Sequence, residues 1–341
     1  MALILPGQVV CLGQRTVLLR LRDQETTDAA YTSYLMNSHA VSAYVSLLSN
    51  GATVDHLNVA DIRRLKLPFF PPIHVQRKIA AVLSAYDDMI ENNRRRIALL
   101  ERMAEQLYRE WFVRFRFPGH QHTKFEKGVP VGWEMVPLEK AFKFMGGATP
   151  AKDTARFWKD GEINWFTPSD ITASKSIFLE QSGMQCTDEG QTNSSARLFP
   201  AYSVMMTSRA TIGAIGINTT PACTNQGFIT CIPNERYPLS YLYHWLKLAK
   251  THFEALSGGA TFAELTKGTF KRIGILTPPL DVVSVFERRS APMFKSIETL
   301  QKVNASLTKA RDLLLPRLIS GKLRVDDLDI QFPPSMHAEC A

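Results

Sequence analysis

The chain contains one sequence pattern twice, and this internal duplication constrains the fold more strongly than any local motif does. Three pairs of motifs recur between 207 and 212 positions apart: Tyr34-Leu35 and Tyr241-Leu242, Pro71-Pro72 and Pro278-Pro279, and Cys11-x-x-Gln14 and Cys223-x-x-Gln226. Residues 133 to about 220 have no counterpart in the first copy. We therefore expect two related domains, of which the first is truncated.

Each copy ends in a long amphipathic helix whose core positions are spaced alternately by four and three residues. This heptad spacing predicts a seam along which the helix packs against another helix. The seam residues are Ile79, Leu83, Tyr86, Ile90, Asn93, Ile97, Leu100 and Leu107 in the first helix, and Ile297, Leu300, Asn304, Leu307 and Leu314 in the second. Because the two seams agree in phase, we predict that they pack against each other. Ordinary amphipathic helices of a globular core are the alternative.

The asparagines of the two seams and the prolines of the second helix lead to further predictions. Each seam contains one asparagine, and a polar residue at a core position usually fixes the register of a helix pair. Pro292 and Pro316 are expected to disturb the first and last turns of the second helix, since proline lacks a backbone N–H. A helix of roughly forty residues is about 60 Å long, so the pair is expected to act as a ruler.

The positive charge is concentrated on the first long helix and the segment after it. The net charge is +8, and residues 76–132 carry 11 basic against 7 acidic residues. A basic surface of this length suits a polyanion such as double-stranded DNA. A solvated helix face is the alternative.

The sequence lacks the patterns of the common enzyme and membrane classes. No glycine-rich nucleotide loop follows a strand, and the eight histidines show no metal-ligand spacing. The five cysteines include no Cys-x-x-Cys pair, which favours free thiols in a reducing cytoplasm. No apolar run is long enough to span a bilayer. We expect a cytoplasmic protein without catalytic residues, cofactor, metal ion or membrane contact.

Several segments, in order and spacing, resemble the specificity subunits of type I restriction-modification systems. The segments are Pro71–Ala80, Gly128–Glu134, Gly146–Pro150, Trp158–Asp170, Ser208–Gly213, Thr224–Gly227 and Leu313–Leu323. The resemblance implies an α+β fold, in which mixed α/β target recognition domains are separated by two long antiparallel coiled-coil helices. It also implies that each domain recognises half of a bipartite DNA site. The helices would dock methyltransferase subunits and, through them, restriction subunits.

The resemblance divides the chain into six segments. They are 1–73, the end of a truncated first recognition domain; 74–117, the first spacer helix; 118–132, a linker; 133–280, a complete recognition domain; 281–323, the second spacer helix; and 324–341, a flexible tail. The truncated domain is expected to be a remnant. Two alternatives are pairing with a separate N-terminal half-subunit and association with a second copy of the chain. The whole chain could also be an assembly or decoy subunit that binds methyltransferase without productive DNA recognition.

Candidate DNA-binding residues lie in three segments with polar or basic side chains beside glycine-rich turns. They are Thr149, Lys152, Thr207, Ser208, Arg209, Lys267 and Lys271. Basic side chains and hydroxyls commonly bind phosphates, and paired donors and acceptors recognise base edges. We expect Lys152 and Arg209 in particular to contact DNA. For each segment, solvated turn chemistry is the alternative.

Overall fold

The computed structural model describes residues 3–4, 7–14, 16–48, 58–67, 70–258 and 263–337. The chain forms two compact units: unit 1 comprises residues 1–96 and 302–341, and unit 2 comprises residues 97–301. Each long helix contributes residues to both units. The two units do not test the six segments predicted from the sequence. Each unit groups residues by their mutual contacts, so its boundaries fall within the long helices.

Unit 1 consists mainly of helices. These are α1 (Ala29–Asn37), α2 (His39–Leu48), α3 (Val59–Arg64) and the first part of α4 (Ile73–Tyr108), together with the end of α11 (Leu280–Ile319) and the short α12 (Pro334–His337). Asp28 caps α1 by accepting a hydrogen bond from the Tyr31 amide at 2.7 Å. The buried Gln76 of α4 accepts one from the Asp28 amide at 2.9 Å. These two contacts fix the start of α1 on α4.

The apolar runs Val9-Val10 and Thr16–Leu19 predict short strands by their sequence, but the structure shows no strand there. The structure assigns residues 7–14 and 16–20 to no helix and no strand. A strand needs a neighbour that satisfies its backbone groups, and no described residue pairs with these segments as a neighbouring strand. The expectation of short strands at Val9-Val10 and Thr16–Leu19 was therefore wrong for this structure.

Unit 2 is a mixed α/β structure. Its strands are β1 (Phe125–Glu126), β2 (Val129–Pro130), β3 (Glu134–Pro137), β4 (Phe144–Gly146), β5 (Ile163–Phe166), β6 (Phe178–Leu179), β7 (Gln185–Cys186), β8 (Val204–Thr207), β9 (Ile215–Asn218), β10 (Ala222–Thr224), β11 (Phe228–Cys231) and β12 (Gly274–Thr277). Its shorter helices are α5 (Leu138–Ala141), α6 (Pro168–Ala173), α7 (Asp188–Thr192), α8 (Leu239–Leu248), α9 (Lys250–Leu256) and α10 (Lys267–Phe270).

Two sheets form the centre of unit 2. A five-stranded sheet has the order β4-β11-β8-β9-β6, and a three-stranded sheet has the order β10-β5-β7. Every residue of β8 and β11 is buried, because each strand has a neighbour on both sides and is covered on both faces. This burial explains their almost continuous apolar sequence. The strand β10 runs parallel to β5, which brings residues 224–227 next to the end of β5.

The long helices are α4, with 36 residues, and α11 (Leu280–Ile319), with 40 residues. A π-helical turn continues α4 over Arg109–Val113, and α12 (Pro334–His337) is the last helix in the described residues. Contrary to expectation, α11 is continuous through Pro292 and Pro316. Phe286, Phe294 and Ile297 are buried around Pro292, and we attribute the continuity to this packing, which offsets the missing hydrogen bond.

The predicted seams pair within each unit, and the helices run antiparallel. In unit 1, the Asn93 side chain donates to the Asn304 side chain at 2.9 Å. Asp87, six residues earlier on α4, contacts Arg311, seven residues later on α11. Ile79, Leu83 and Leu318 are buried in one cluster, and the partly buried Leu314 packs against it. In unit 2, Ile97, Leu100 and Leu107 belong to one cluster with Ile297.

The C-terminal segment is packed on the helices rather than loose. Val325 is buried beside Ile79 and Leu318. The Lys78 ammonium donates to the Asp326 and Leu328 carbonyls at 2.6 and 2.8 Å. The structure thus corrects the expectation of a flexible tail for residues 324–337, whereas residues 338–341 lie outside the described part. The turn that starts this segment uses Gly321, whose φ of +70° is unfavourable for other residues.

Candidate nucleic-acid interface

Three loops of unit 2 meet at one end of its five-stranded sheet, where β4 and β8 end beside the start of β11. They are loop 147–152 after β4, loop 208–213 between β8 and β9, and loop 257–267, which ends at the first residue of α10. Residues 259–262 of the last loop lie outside the described part. The sequence Ser257-Gly-Gly-Ala-Thr261 is similar to Ser49-Asn-Gly-Ala-Thr53 of the first copy, and residues 49–53 lie outside the described part as well. The three loops contain the sequence-predicted DNA-binding residues except Thr207, which ends β8, and Lys271, which follows α10.

The segment 224–227 connects the first two loops. The Thr224 carbonyl accepts a hydrogen bond from the Ala148 amide at 2.9 Å, and the Gln226 side chain accepts one from the Thr149 hydroxyl at 2.8 Å. On its other side, the Gly227 carbonyl accepts one from the Ser208 amide at 2.8 Å. Loops 147–152 and 208–213 therefore share one support.

Backbone hydrogen bonds join the second loop to the third. The Leu265 amide donates to the Ser208 carbonyl at 2.9 Å, and the Ala210 amide donates to the Ala263 carbonyl at 3.2 Å. Lys267 extends toward the first loop, because a Cβ placed on Gly146 would lie only 2.5 Å from its ammonium nitrogen. All three loops thus form a single surface, which we call the loop face.

Loop 147–152 is held closely against the sheets. A side chain at Gly147 would place its Cβ 2.0 Å from the Thr224 carbonyl oxygen, so only glycine fits there. The indole N–H of Trp165 donates to the Ala148 carbonyl at 2.9 Å, and that of Trp158 donates to the Ala151 carbonyl at 3.0 Å. A loop restrained in this way presents its side chains in a fixed orientation.

Two of the predicted contact residues are buried. Thr207 has no exposed surface, and its hydroxyl donates to the Thr211 carbonyl and accepts from the Ala214 amide. Ser208 is 3 % exposed, and its backbone bonds to both neighbouring segments. Neither side chain is available to a ligand. This corrects the expectation of direct contact, since both residues shape loop 208–213 from within.

The remaining basic candidates differ in their available charge. Lys152 is exposed and forms no ion pair with any described residue. Arg209 forms an ion pair with Glu264 at 2.8 Å, and Lys271 forms one with Glu139 at 3.8 Å. Exposed pairs of this kind contribute about 0–1 kcal/mol to stability, so a phosphate group can replace the carboxylate at little cost. Lys152 offers the freest charge of these three residues.

Two residues of the loop face were missed as site residues. Gln226 is exposed and orients Thr149, although its sequence indicated only a repeat of Gln14 and a family-like segment, not a binding role. Lys250 of α9 lies against Gly213, where an added Cβ would be 2.7 Å from its side chain. Its distance from loop 208–213 in the sequence explains why no local pattern indicated it. Neither residue changes the basic character of the surface.

Apolar side chains are exposed on the side of α4 away from its seam. Leu99 and Met103 are 51 % and 46 % exposed and are separated by one helical turn. The seam residues at this level, Ile97 and Leu100, pack in the core of unit 2. The helix therefore presents a second apolar surface, which its partner helix does not cover.

The described residues were also compared with the features of metal sites, membrane-spanning helices and disulfide bonds. Within these ranges, no group of three or more His, Cys, Asp or Glu side chains is arranged to hold a metal ion. None of the described helices is long and apolar enough to cross a membrane. Cys186, Cys223 and Cys231 are buried free thiols, and Cys11 is an exposed one.

Comparison with known proteins identifies the family. The profile of the family described as the type I restriction modification DNA specificity domain matches residues 2–102 and 130–308. The chain belongs to this family, which confirms the resemblance seen in the sequence, and the two matched stretches agree with the internal duplication.

The chain is also similar to specificity subunits of type I restriction enzymes. It is 24 % identical to the type I restriction enzyme HindI specificity subunit of Haemophilus influenzae, covering 85 % of this chain and 76 % of the relative. It is 26 % identical to the MjaIX specificity subunit of Methanocaldococcus jannaschii, covering 87 % and 70 %. The crystal structure of a type I S subunit from M. genitalium shares the fold with a TM-score of 0.56, at 17 % identity and 87 % and 74 % coverage.

Proposed function

We propose that unit 2 recognises one half of a bipartite DNA site and that the chain is a non-catalytic specificity subunit of a type I restriction-modification complex. The convergence of three loops on one basic loop face is the observation that carries this proposal. Lys152 and Lys267 bind phosphates there, and Arg209 exchanges Glu264 for a phosphate oxygen. Thr149, oriented by Gln226, contacts a base edge in the groove.

DNA binding is tested by the salt dependence of affinity for Lys152→Ala. Loss of one phosphate contact is expected to weaken binding of all sequences alike and to lower the slope of log K against log salt by about one unit. Fluorescence anisotropy with labelled duplexes at several salt concentrations measures both quantities. Lys140→Ala is the matched control, because Lys140 is also exposed and lies on α5, outside the loop face. An unchanged slope for Lys152→Ala would remove this residue from the interface.

We further propose that α4 and α11 dock methyltransferase subunits, which bring restriction subunits into the complex. The exposed Leu99 and Met103 supply an apolar contact on α4, and burial of such side chains is a main source of affinity in stable interfaces. The paired helices then set the distance between the bound enzyme and the DNA half-site. The complex would work in the cytoplasm, where its DNA substrate is found.

Docking is tested by Met103→Glu in a pull-down with a type I modification subunit. A charge in the centre of the contact is expected to weaken binding at least tenfold. Leu256→Glu introduces the same kind of change at an exposed position of α9 and is expected to bind normally. Equal binding by both variants would show that this side of α4 is not the docking surface.

A further inference from the structure

The loop face carries one carboxylate among its basic side chains. The three loops contain Lys152, Arg209 and Lys267, and Glu264 is the one acidic residue in the sequence of these loops. A carboxylate repels phosphate groups, because both are negatively charged. Its presence on a surface that binds DNA is therefore favourable only if another group of the DNA donates a hydrogen bond to it.

The backbone of Glu264 is held from two sides. Its amide donates to the Gly258 carbonyl at 2.9 Å, and its carbonyl accepts from the Gly258 amide at 3.2 Å. On the other side, Glu264 lies opposite Arg209 in an antiparallel bridge. The next residue, Leu265, is only 1 % exposed. These contacts fix the main chain, while the Glu264 side chain remains 37 % exposed at the loop face.

Arg209 is the ionic partner of Glu264. Its Nε lies 2.8 Å from a Glu264 carboxylate oxygen, and 46 % of the Arg209 side chain is exposed. When Arg209 binds a phosphate, as in the proposed function, the Glu264 carboxylate loses this partner. Bound DNA also removes water from the surface, so an unpaired carboxylate would weaken the complex. A donor on the DNA must therefore replace Arg209.

The bases of DNA offer two such donors in the major groove, the N4 amino group of cytosine and the N6 amino group of adenine. The adenine amino group lies between two acceptors, N7 of the same base and O4 of the paired thymine. The cytosine amino group has an acceptor on one side only, O6 of the paired guanine. Because acceptors repel a carboxylate, cytosine is the better partner for Glu264.

We propose that Glu264 determines the base specificity of the loop face by accepting a hydrogen bond from the N4 amino group of a cytosine. The half-site recognised by unit 2 then contains a C·G pair opposite loop 257–267. Guanine and thymine at this position present acceptors to the carboxylate and are excluded by repulsion. This inference rests on the proposed function, since it names a base that the same face recognises.

Glu264→Ala tests this contact in the full chain with a type I modification subunit bound. The natural chain first selects its half-site from a randomised pool of duplexes. Competition binding then measures the affinity of both proteins for all four base pairs at each position of that half-site. At one position, the natural chain is expected to prefer C·G by about tenfold, and the variant to lose that preference while keeping the others.

Glu264→Gln gives a second, independent readout. Glutamine keeps the shape of the side chain and pairs with N6 and N7 of adenine. This variant is therefore expected to shift the preference at the same position from C·G to A·T. A residue that only supports Arg209 would not change the identity of the selected base.

Glu254→Ala is the matched control. Glu254 forms an ion pair with Lys250 at 3.8 Å, both side chains are 49 % exposed, and both residues lie on α9. The control therefore also removes a carboxylate from an exposed ion pair, but outside the three loops. Like Glu264→Ala, it is expected to bind unrelated duplexes more tightly, because a negative charge is lost. Unlike Glu264→Ala, it is expected to keep the preference at every position.

The possible results separate the role of Glu264 from DNA recognition as such. Unchanged base preferences in Glu264→Ala, with or without a general loss of affinity, would overturn the proposal and leave Glu264 only as the partner of Arg209. Loss of a preference for a base pair other than C·G would overturn the assignment of cytosine. If the natural chain selects no common sequence, the proposed recognition of a half-site fails together with this inference.

Discussion

His244 of α8 is a buried histidine at the junction of α4 and the sheets of unit 2. It donates from Nδ1 to the Ser240 carbonyl at 2.7 Å and stacks on Tyr108 with ring centroids 5.6 Å apart. Burial lowers the pKa of His244 from its ordinary 6.5 to about 4. The imidazole is therefore neutral at physiological pH and acts as a packing residue rather than as an acid or base.

This pKa shift predicts a pH-dependent stability of unit 2. Above pH 6.5, His244 is neutral in both the folded and the unfolded state. As the pH falls toward 4, the unfolded state takes up a proton that the folded state excludes, so the free energy of unfolding decreases, by about 2 kcal/mol between pH 7 and pH 5. Urea unfolding followed by tryptophan fluorescence measures this decrease.

His244→Phe separates this residue from other titrating groups. Phenylalanine keeps the aromatic contact with Tyr108 and cannot be protonated. The variant is expected to lose clearly less stability than the natural chain over the same pH interval. If both proteins lose the same amount, the dependence arises from other groups, and His244 is not the buried titrating residue.

The loop face shows which residues a sequence can and cannot indicate. The sequence could indicate that Lys152 is an exposed loop residue, because a lysine close to a glycine turn is a local pattern. The burial of Thr207 and Ser208 was not predicted, since it depends on pairing of β8 with β11 and on loop 257–267, both distant in sequence. The role of Gln226 depends on Thr149, 77 residues away. Contacts of this range leave no periodic trace in a single sequence.

At the scale of elements, the helix pair is the feature that the sequence predicted best. Heptad spacing is local, so the seam residues of α4 and α11 could be identified before their contacts were known. The sequence also indicated that both seams contain an asparagine, but only the structure shows that Asn93 and Asn304 bond to each other. Continuity of α11 through its prolines was missed, because packing rather than propensity decides it.

Asn93 and Asn304 are expected to fix the register of the pair. Asn93→Leu alone leaves the Asn304 oxygen without its donor and should lower the free energy of unfolding by about 1–2 kcal/mol. Asn93→Leu combined with Asn304→Leu removes both polar groups and should restore or exceed the original stability. A double-mutant cycle from urea unfolding measures the coupling. Additive effects of the two substitutions would mean that the asparagines are independently solvated.

At the scale of the whole molecule, the two copies of the repeated pattern differ in their strands and in the exposure of their apolar side chains. The second copy has a full set of strands and presents the loop face, whereas the first copy is folded where it contacts the long helices and exposed where strands are lacking. The duplication itself could be identified from the sequence, because the repeated motifs recur at nearly constant spacing. The sequence could not indicate that residues 324–337 pack on α4, since that segment has no regular periodicity.

Selection from a randomised pool of DNA duplexes tests most directly whether unit 2 recognises a DNA half-site. The chain is mixed with a type I modification subunit, and bound duplexes are sequenced after several rounds. The account predicts one short defined sequence, and a replacement of loop 147–152 is expected to change that sequence while leaving the modification subunit bound. Recovery of duplexes without a common sequence, from a complex that contains both proteins, would contradict it.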